Sequence, residues 1–302
     1  MENLILIFTC LVLGFILRRF THLNQNFSKS LNVFIIYISL PSMILLYIPK
    51  FSFQNFSLIL IVFPWLLFIL SFIFFYLLKN FLQISNQEFT CLVLCLGLGN
   101  TSFFGLPMVE YYYGRSMIPY ALILDQLGTF LVLSLVGIPF VLWQTGNQVN
   151  KKEIFYKIIY FPPFFSIILA FVLIPFSIPI ELEFVFKRLA DTLVPLAIVS
   201  VGYHLEWKSI SLNYKLLLLG LGFKLILAPM LFIFLLAGLY KNFLPIYKVT
   251  IFEMAMPPMI TASILAIEKN QAPNLASSLV SLGIIISFIT LFLLWKLLEL
   301  FF

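Results

Sequence analysis

The sequence predicts an all-α polytopic membrane protein: ten transmembrane helices as two inverted five-helix repeats, two of the helices being broken at their centres. Three observations carry that expectation. The 302-residue chain is 62% hydrophobic and 10% charged, with a mean hydropathy of +1.10, whereas soluble domains average about 25% charged residues. The apolar residues fall into ten runs, each near the roughly 20 residues that a helix needs to cross a bilayer. Finally, landmarks of the first five runs return in the same order in the second five.

The runs lie near 3–20, 28–48, 56–79, 89–113, 116–142, 154–174, 184–205, 211–239, 248–268 and 274–300. The first carries Glu2 and no Lys or Arg ahead of its apolar core, with Arg18 and Arg19 after it. That is the reverse of a secretory leader, so it reads as a span entering from outside. Runs two and three each hold a central proline, Pro41 in FIIYISLPSMILLYI and Pro64 in VFPWLLFIL. Run four, CLVLCLGLGNTSFFGLPMVEYYYG, is interrupted. Gly97, Gly99 and Gly105 loosen its backbone, Asn100 and Thr101 can bond freed backbone groups, and Pro107 lacks an N–H. Run five holds Asp125, and only Trp143 to Glu153 separates it from run six. Runs seven and eight repeat the central prolines, Pro195 in LADTLVPLAIVSVGYHL and Pro229 in LAPMLFIFLL, and run eight also carries Lys224. Run nine is broken by Pro257 and Pro258.

The halves therefore echo each other. Pro41 and Pro195 stand 154 residues apart, Pro64 and Pro229 165, and the tetrapeptides beginning at Lys79 and Lys241 162. Similar offsets in one order suggest duplication, 1–142 and 143–302, and five spans per copy turn the second upside down in the membrane. With the N-terminus outside, inner connections hold Arg18, Arg19, Lys29, Lys79, Lys151, Lys152, Lys157, Lys208, Lys215 and Lys269. Outer ones hold Lys50, Arg115, Lys187, Arg188, Lys241, Lys248 and Lys296. That bias favours both termini outside.

Hydrocarbon offers no water to broken backbone hydrogen bonds, so a break survives there only inside protein or beside a wet cavity. Two broken spans at matching positions point to the substrate site of a secondary carrier. In run four Asn100 is placed to cap a second half-helix, leaving N–H groups at Thr101, Ser102 and Phe103 free. In run nine Pro258 suits the first position of its half-helix, followed by Met259 and Thr261. Such N-terminal ends suit an anion. The competing reading is a pair of ordinary proline kinks satisfied by neighbouring helices. Hydroxyls such as Thr101, Ser102 and Thr261 also often bond their own helix.

Asp125 and Lys224 sit within spans, at about 2.5–3.5 kcal/mol each at mid-bilayer, so neither is expected to face lipid. They read as a structural ion pair or as a coupling pair, Asp125 taking up a proton or cation and Lys224 balancing charge. Glu253, four residues before Pro257, is a further candidate because that proline frees its carbonyl. Glu110 and Asp191 read as solvated, His22 and His204 as surface residues, and Cys10, Cys91 and Cys95 as free thiols. No phosphate-binding loop is present, and no constellation suits an enzyme, a haem or a metal centre. The net charge of +6 sits in short connections, without a nucleic-acid-binding pattern. No cofactor is expected beyond a coupling Na+ or H+.

GNTSFFGLPMVEYYYG (Gly99 to Gly114), with Asp125 in the next span, resembles the first crossover of the auxin efflux carrier family, which includes bacterial malonate-type permeases and plant PIN carriers. AMPPMITASILAIEKN (Ala255 to Asn270) resembles its second crossover, and LNVFIIYISLPSMIL and LVPLAIVSVGYHL resemble its second and seventh spans. The resemblance implies a fold related to the bile-acid sodium symporters. It implies a scaffold of spans 1, 2, 6 and 7 that forms a homodimer, and a mobile core of spans 3–5 and 8–10. It maps a carboxylate-binding asparagine onto Asn100 and the crossing prolines onto the region of Gly99 and of Pro257 and Pro258. Plant members have proline where this chain has Gly99, and their long cytoplasmic loop is missing here. The short microbial type is thereby favoured, in a bacterial cytoplasmic (inner) membrane. The expectation is an elevator-type carrier of a small organic anion. The alternatives are a sodium- or proton-coupled carrier of a neutral or sterol-like solute on the same fold, and a receptor that binds without transporting.

Overall fold

A computed structural model describes residues 2–20, 26–51, 56–176, 178–205, 213–240 and 243–301. His22, Lys208, Lys241 and Asn242 lie outside the described residues. Helices occupy all ten apolar runs. Among the described residues, five are continuous and are long and apolar enough to cross a membrane: Phe27–Lys50, Ile59–Phe81, Arg115–Gln144, Tyr214–Leu239 and Pro273–Phe301. A pair bent by 57°, Lys151–Ile159 and Pro162–Leu173, would make a sixth. Their outward faces stay apolar: Tyr160 is 76%, Phe234 73% and Leu77 71% exposed. So many bare aromatic and aliphatic side chains suit lipid rather than water.

Prolines decide where these helices deform. Two runs expected to be single spans are divided. Run six bends at Tyr160–Phe161, just ahead of Pro162 and Pro163. Run seven is two helices, Ile180–Ala190 and Leu193–Tyr203. Pro195 has no N–H for the Asp191 carbonyl, and Thr192 Oγ1 donates to Leu189 O at 2.6 Å, so the ladder lapses there. Elsewhere the helix widens instead of breaking. Among the described residues, four π-helical turns (Ile35–Ser39, Thr101–Gly105, Leu133–Gly137 and Phe223–Leu227) are each followed two residues later by a proline: Pro41, Pro107, Pro139 and Pro229. A proline ring presses on the carbonyl four residues back, and an i→i+5 turn relieves that pressure. A fifth π-turn, Leu124–Thr129, carries Asp125 without a following proline.

The chain divides into two compact units. The first comprises 1–56, 102–126 and 151–205. In it the helix Glu2–Phe20 lies on Leu193–Tyr203, and Leu40–Tyr47 lies between Pro162–Leu173 and Ile180–Ala190. Gly14 and Gly202 face backbone of the opposite helix, at Val199 and Leu11, so close that a Cβ would not fit. Small residues are what let membrane helices approach in this way. Polar crosslinks run from Ser200 Oγ to Asn32 Oδ1 (2.7 Å) and between the Ser39 and Thr192 hydroxyls (2.7 Å).

The second unit comprises 57–101, 127–150 and 206–302. Here Ile59–Lys79 packs on Asn86–Leu96 and on Pro245–Met254, while Pro273–Phe301 packs on Ile260–Glu268. Stacked rings of Phe63 with Phe232 (4.5 Å) and Phe74 with Phe223 (4.6 Å) fill the space between helices. The helix Asn86–Leu96 starts from a capping box. Ser85 Oγ accepts from Glu88 N, and the Glu88 carboxylate accepts from Ser85 N.

Candidate functional site

In the second unit the two interrupted runs cross. Run four stops as a helix at Leu96, with Gly97 as C-cap, and becomes helical again at Thr101. Run nine stops at Met254 and resumes at Ile260. Between these ends the backbones pair. Asn100 N–H donates to Pro257 O (2.9 Å), Met259 N–H donates to Leu98 O (3.2 Å), and Gly99 and Pro258 form an antiparallel bridge. No strand occurs among the described residues, so these bonds are a local device by which each break satisfies the other. The two interrupted stretches thus meet through two backbone hydrogen bonds and one bridge.

The details depart from expectation at three places. Asn100 N–H is used by Pro257 O, and Thr101–Gly105 is a π-turn, not the first turn of a capped α-helix. Pro107 lies in the first turn of the α-helix that follows, Leu106–Tyr113, with Gly105 as its N-cap. The second half-helix of run nine begins at Ile260 with Met259 as N-cap, so Pro258 stands ahead of the cap and not at the first helical position. The reason is that Met259 is extended (φ −68°, ψ 125°) in order to reach Leu98 O. The carbonyl of Glu253, expected to be freed by Pro257, accepts from Met256 N–H at 3.2 Å in a tightened last turn. The freed carbonyl is that of Met254, whose α-helical donor would be the N–H of Pro258, which does not exist. Lys224 Nζ donates to it at 3.1 Å.

Lys224 is fully buried, and it comes from the π-turn Phe223–Leu227 that Pro229 produces. Its ammonium and the Glu253 carbonyl each lie 3.4 Å from where a Cβ on Gly99 would stand. Glu253, also fully buried, is the opposing charge that acts on Lys224. Beside them the side chain of Asn100 is 2% exposed, and its amide nitrogen has no hydrogen-bond partner among the described residues. The N-terminus of Ile260–Glu268 has no side-chain cap. Thr261, one residue into that helix, is exposed, whereas the neighbouring Ser263 hydroxyl bonds Ile260 O at 2.9 Å.

The other expected residues belong to the first unit. Ser102 Oγ donates to Asp125 Oδ2 (2.5 Å), and Gln126 Nε2 donates to the same oxygen (2.6 Å). Asp125 and Gln126 are each 1% exposed, and Gln126 Oε1 is buried with no hydrogen-bond partner among the described residues. Asp125 is thus bonded by Ser102 and Gln126, and Lys224 by the Met254 carbonyl. Glu110 and Asp191 both bind Arg115, at 2.7 and 3.0 Å, and Glu110 is largely covered. His204 is half-buried as the C-cap of Leu193–Tyr203 and is not a surface residue. Its imidazole Nε2 is buried at that helix end. Cys10, Cys91 and Cys95 are buried free thiols.

Sequence reasoning missed Met254, Gln126 and Gly283. Gly283 lies against the ring of Pro258, where a Cβ would come within 2.6 Å of Cδ. A glycine opposite a broken span is the one signal that pointed to it.

Comparison with known proteins places the chain among membrane transporters. The sequence model of a family described as membrane transport protein matches residues 1–295. An uncharacterised transporter of Methanothermobacter thermautotrophicus is 24% identical over 299 residues, covering 96% of this chain and 95% of its own length. An uncharacterised transporter of Methanocaldococcus jannaschii is 27% identical over 241 residues, covering 76% of each chain.

Proposed function

Because the chain belongs to the membrane transport protein family, that of the auxin efflux carriers, we propose that it moves a small organic anion, a carboxylate, by an elevator-type alternating-access mechanism. One observation carries the reading most directly. The Asn100 amide nitrogen is a buried hydrogen-bond donor without a partner among the described residues, and an unmade bond there costs about 1–3 kcal/mol. A site keeps such a group when a ligand completes it. The uncapped N-terminus of Ile260–Glu268, which follows directly on the bridge, adds N–H groups and partial positive charge. An acceptor-rich, negatively charged solute answers both.

In this reading Asn100, with backbone near Thr101, Ser102, Pro257, Pro258 and Met259, holds the carboxylate. Asp125 takes up a proton, and Lys224 and Glu253 set the local charge. Ten spans in two inverted repeats, both termini outside and a homodimer through spans 1, 2, 6 and 7 complete the proposal. Uptake of labelled mono- and dicarboxylates into proteoliposomes tests it. The wild type is expected to exchange at least one of them, and Asn100→Ala to lose most of that flux. Asn100→Ala with wild-type kinetics would remove Asn100 from the site. Saturable ligand binding with no net flux would make the protein a receptor.

A further inference from the structure

The second unit contains a cation that is part of the chain. Carriers with broken spans commonly bind a free Na+ or proton at the C-terminal ends of their half-helices, where unwound carbonyls gather negative charge. Here two such ends meet, those of Asn86–Leu96 and Pro245–Met254. The position is already taken. Lys224 Nζ donates to the carbonyl of Met254, which Pro258 leaves without a backbone donor, and it lies beside Gly99 and the Glu253 carbonyl. An ammonium is a compact point charge with three donors, close in character to a bound monovalent cation. Its stem leaves the π-turn Phe223–Leu227, and Lys224 has no exposed surface.

We infer that the Lys224 ammonium occupies the place of a coupling cation at the crossed helix ends, so that ligand binding at the bridge needs no free alkali cation. The inference rests on the carrier reading for its meaning, but not for its test. The backbone carbonyls of Met254 and Glu253 lie at this point, with the Glu253 carboxylate as the opposing charge, and would leave an oxygen site for a small hard cation once the ammonium is removed. Lys224→Ala opens space for an ion and its water. Lys224→Met removes the charge but keeps the volume filled.

The test is thermal stability and ²²Na+ binding of the purified full-length protein, in sodium, lithium or choline chloride at equal ionic strength. Wild type is expected to show the same Tm in all three salts and no saturable ²²Na+ binding. Lys224→Ala is expected to be destabilised in choline, to regain Tm selectively in sodium or lithium, and to bind ²²Na+ saturably; Lys224→Met should not respond. Saturable ²²Na+ binding to wild type overturns the inference, and that measurement stands even if neither variant folds. Lys224→Ala that folds but ignores sodium overturns it as well. Carboxylate flux in sodium-free buffer is the separate arm. Absence of flux in any salt refutes the carrier reading alone, whereas flux that appears only with sodium refutes this inference alone.

Discussion

Gly283→Ala measures how rigidly the crossed breaks are held. The helix Pro273–Phe301 carries Gly283 against Pro258, and an added Cβ would lie 2.6 Å from the ring Cδ and 3.2 Å from Cγ and from Leu221 Cδ2. An ordinary contact needs 3.4 Å or more, so helix or ring must move by about 0.8 Å. Leu221 can rotate away, but the proline ring is bonded to the backbone nitrogen and moves only with the bridge. Overpacking of this kind costs about 1–3 kcal/mol, and replacing glycine inside a helix returns roughly 0.5–1 kcal/mol. The expected net loss is about 0–2.5 kcal/mol, together with a fall in flux because the bridge is displaced. Gly222→Ala is the control: nothing lies within 4 Å of its would-be Cβ, so it should be neutral or gain up to about 1 kcal/mol. Chemical denaturation in detergent micelles, beside carboxylate exchange in vesicles, gives both readouts. Should Gly283→Ala match wild type in stability and flux, the bridge is not wedged against that helix and the argument for a rigid crossing fails.

Asn100→Ala should reduce flux at least about tenfold while leaving stability unchanged or slightly higher, because a buried unpaired donor costs about 1–3 kcal/mol in the empty site; lower stability with retained flux would mark Asn100 as structural. Ser85→Ala should cost about 0.5–2 kcal/mol through loss of the capping box, read as a lower denaturation midpoint. Burial alone would raise the Glu88 carboxyl, but hydrogen bonds from Ser85 and Asn213 outweigh it and hold the group below the usual carboxylate range. Its contribution is therefore present above the unfolded value of about 4.3 and is lost as pH falls through the lower folded value. Glu88→Gln should flatten that acid-side decline, and an unaltered pH–stability profile would contradict it. Arg115→Gln, which removes the bridge between Glu110 and Asp191, should cost no more than about 1 kcal/mol, since Arg115 and Asp191 are largely solvated and screened; a larger loss of Tm would mean that the covered Glu110 depends on it.

Much about this protein was fixed at the level of composition and spacing. Membrane residence follows from the scarcity of charge, because hydrocarbon punishes every unpaired polar group. The two breaks are legible because proline and glycine act on the backbone locally, whatever surrounds them. For the same reason Pro41, Pro107, Pro139 and Pro229 foretell disturbed helix, although whether a proline bends, splits or widens its helix is not a local matter. Pro195 splits run seven, whereas Pro229 widens run eight and thereby sends Lys224 to Met254 O.

Only the tertiary structure decided how the breaks complete each other. Leu98 and Met259, and Asn100 and Pro257, are some 160 residues apart in the chain, and no local rule pairs their backbones. It also decided that Asp125 is bonded by Ser102 and Gln126 while Lys224 turns to a carbonyl. A buried charge takes the partner that packing brings within 3 Å or so, and sequence spacing carries no such distance.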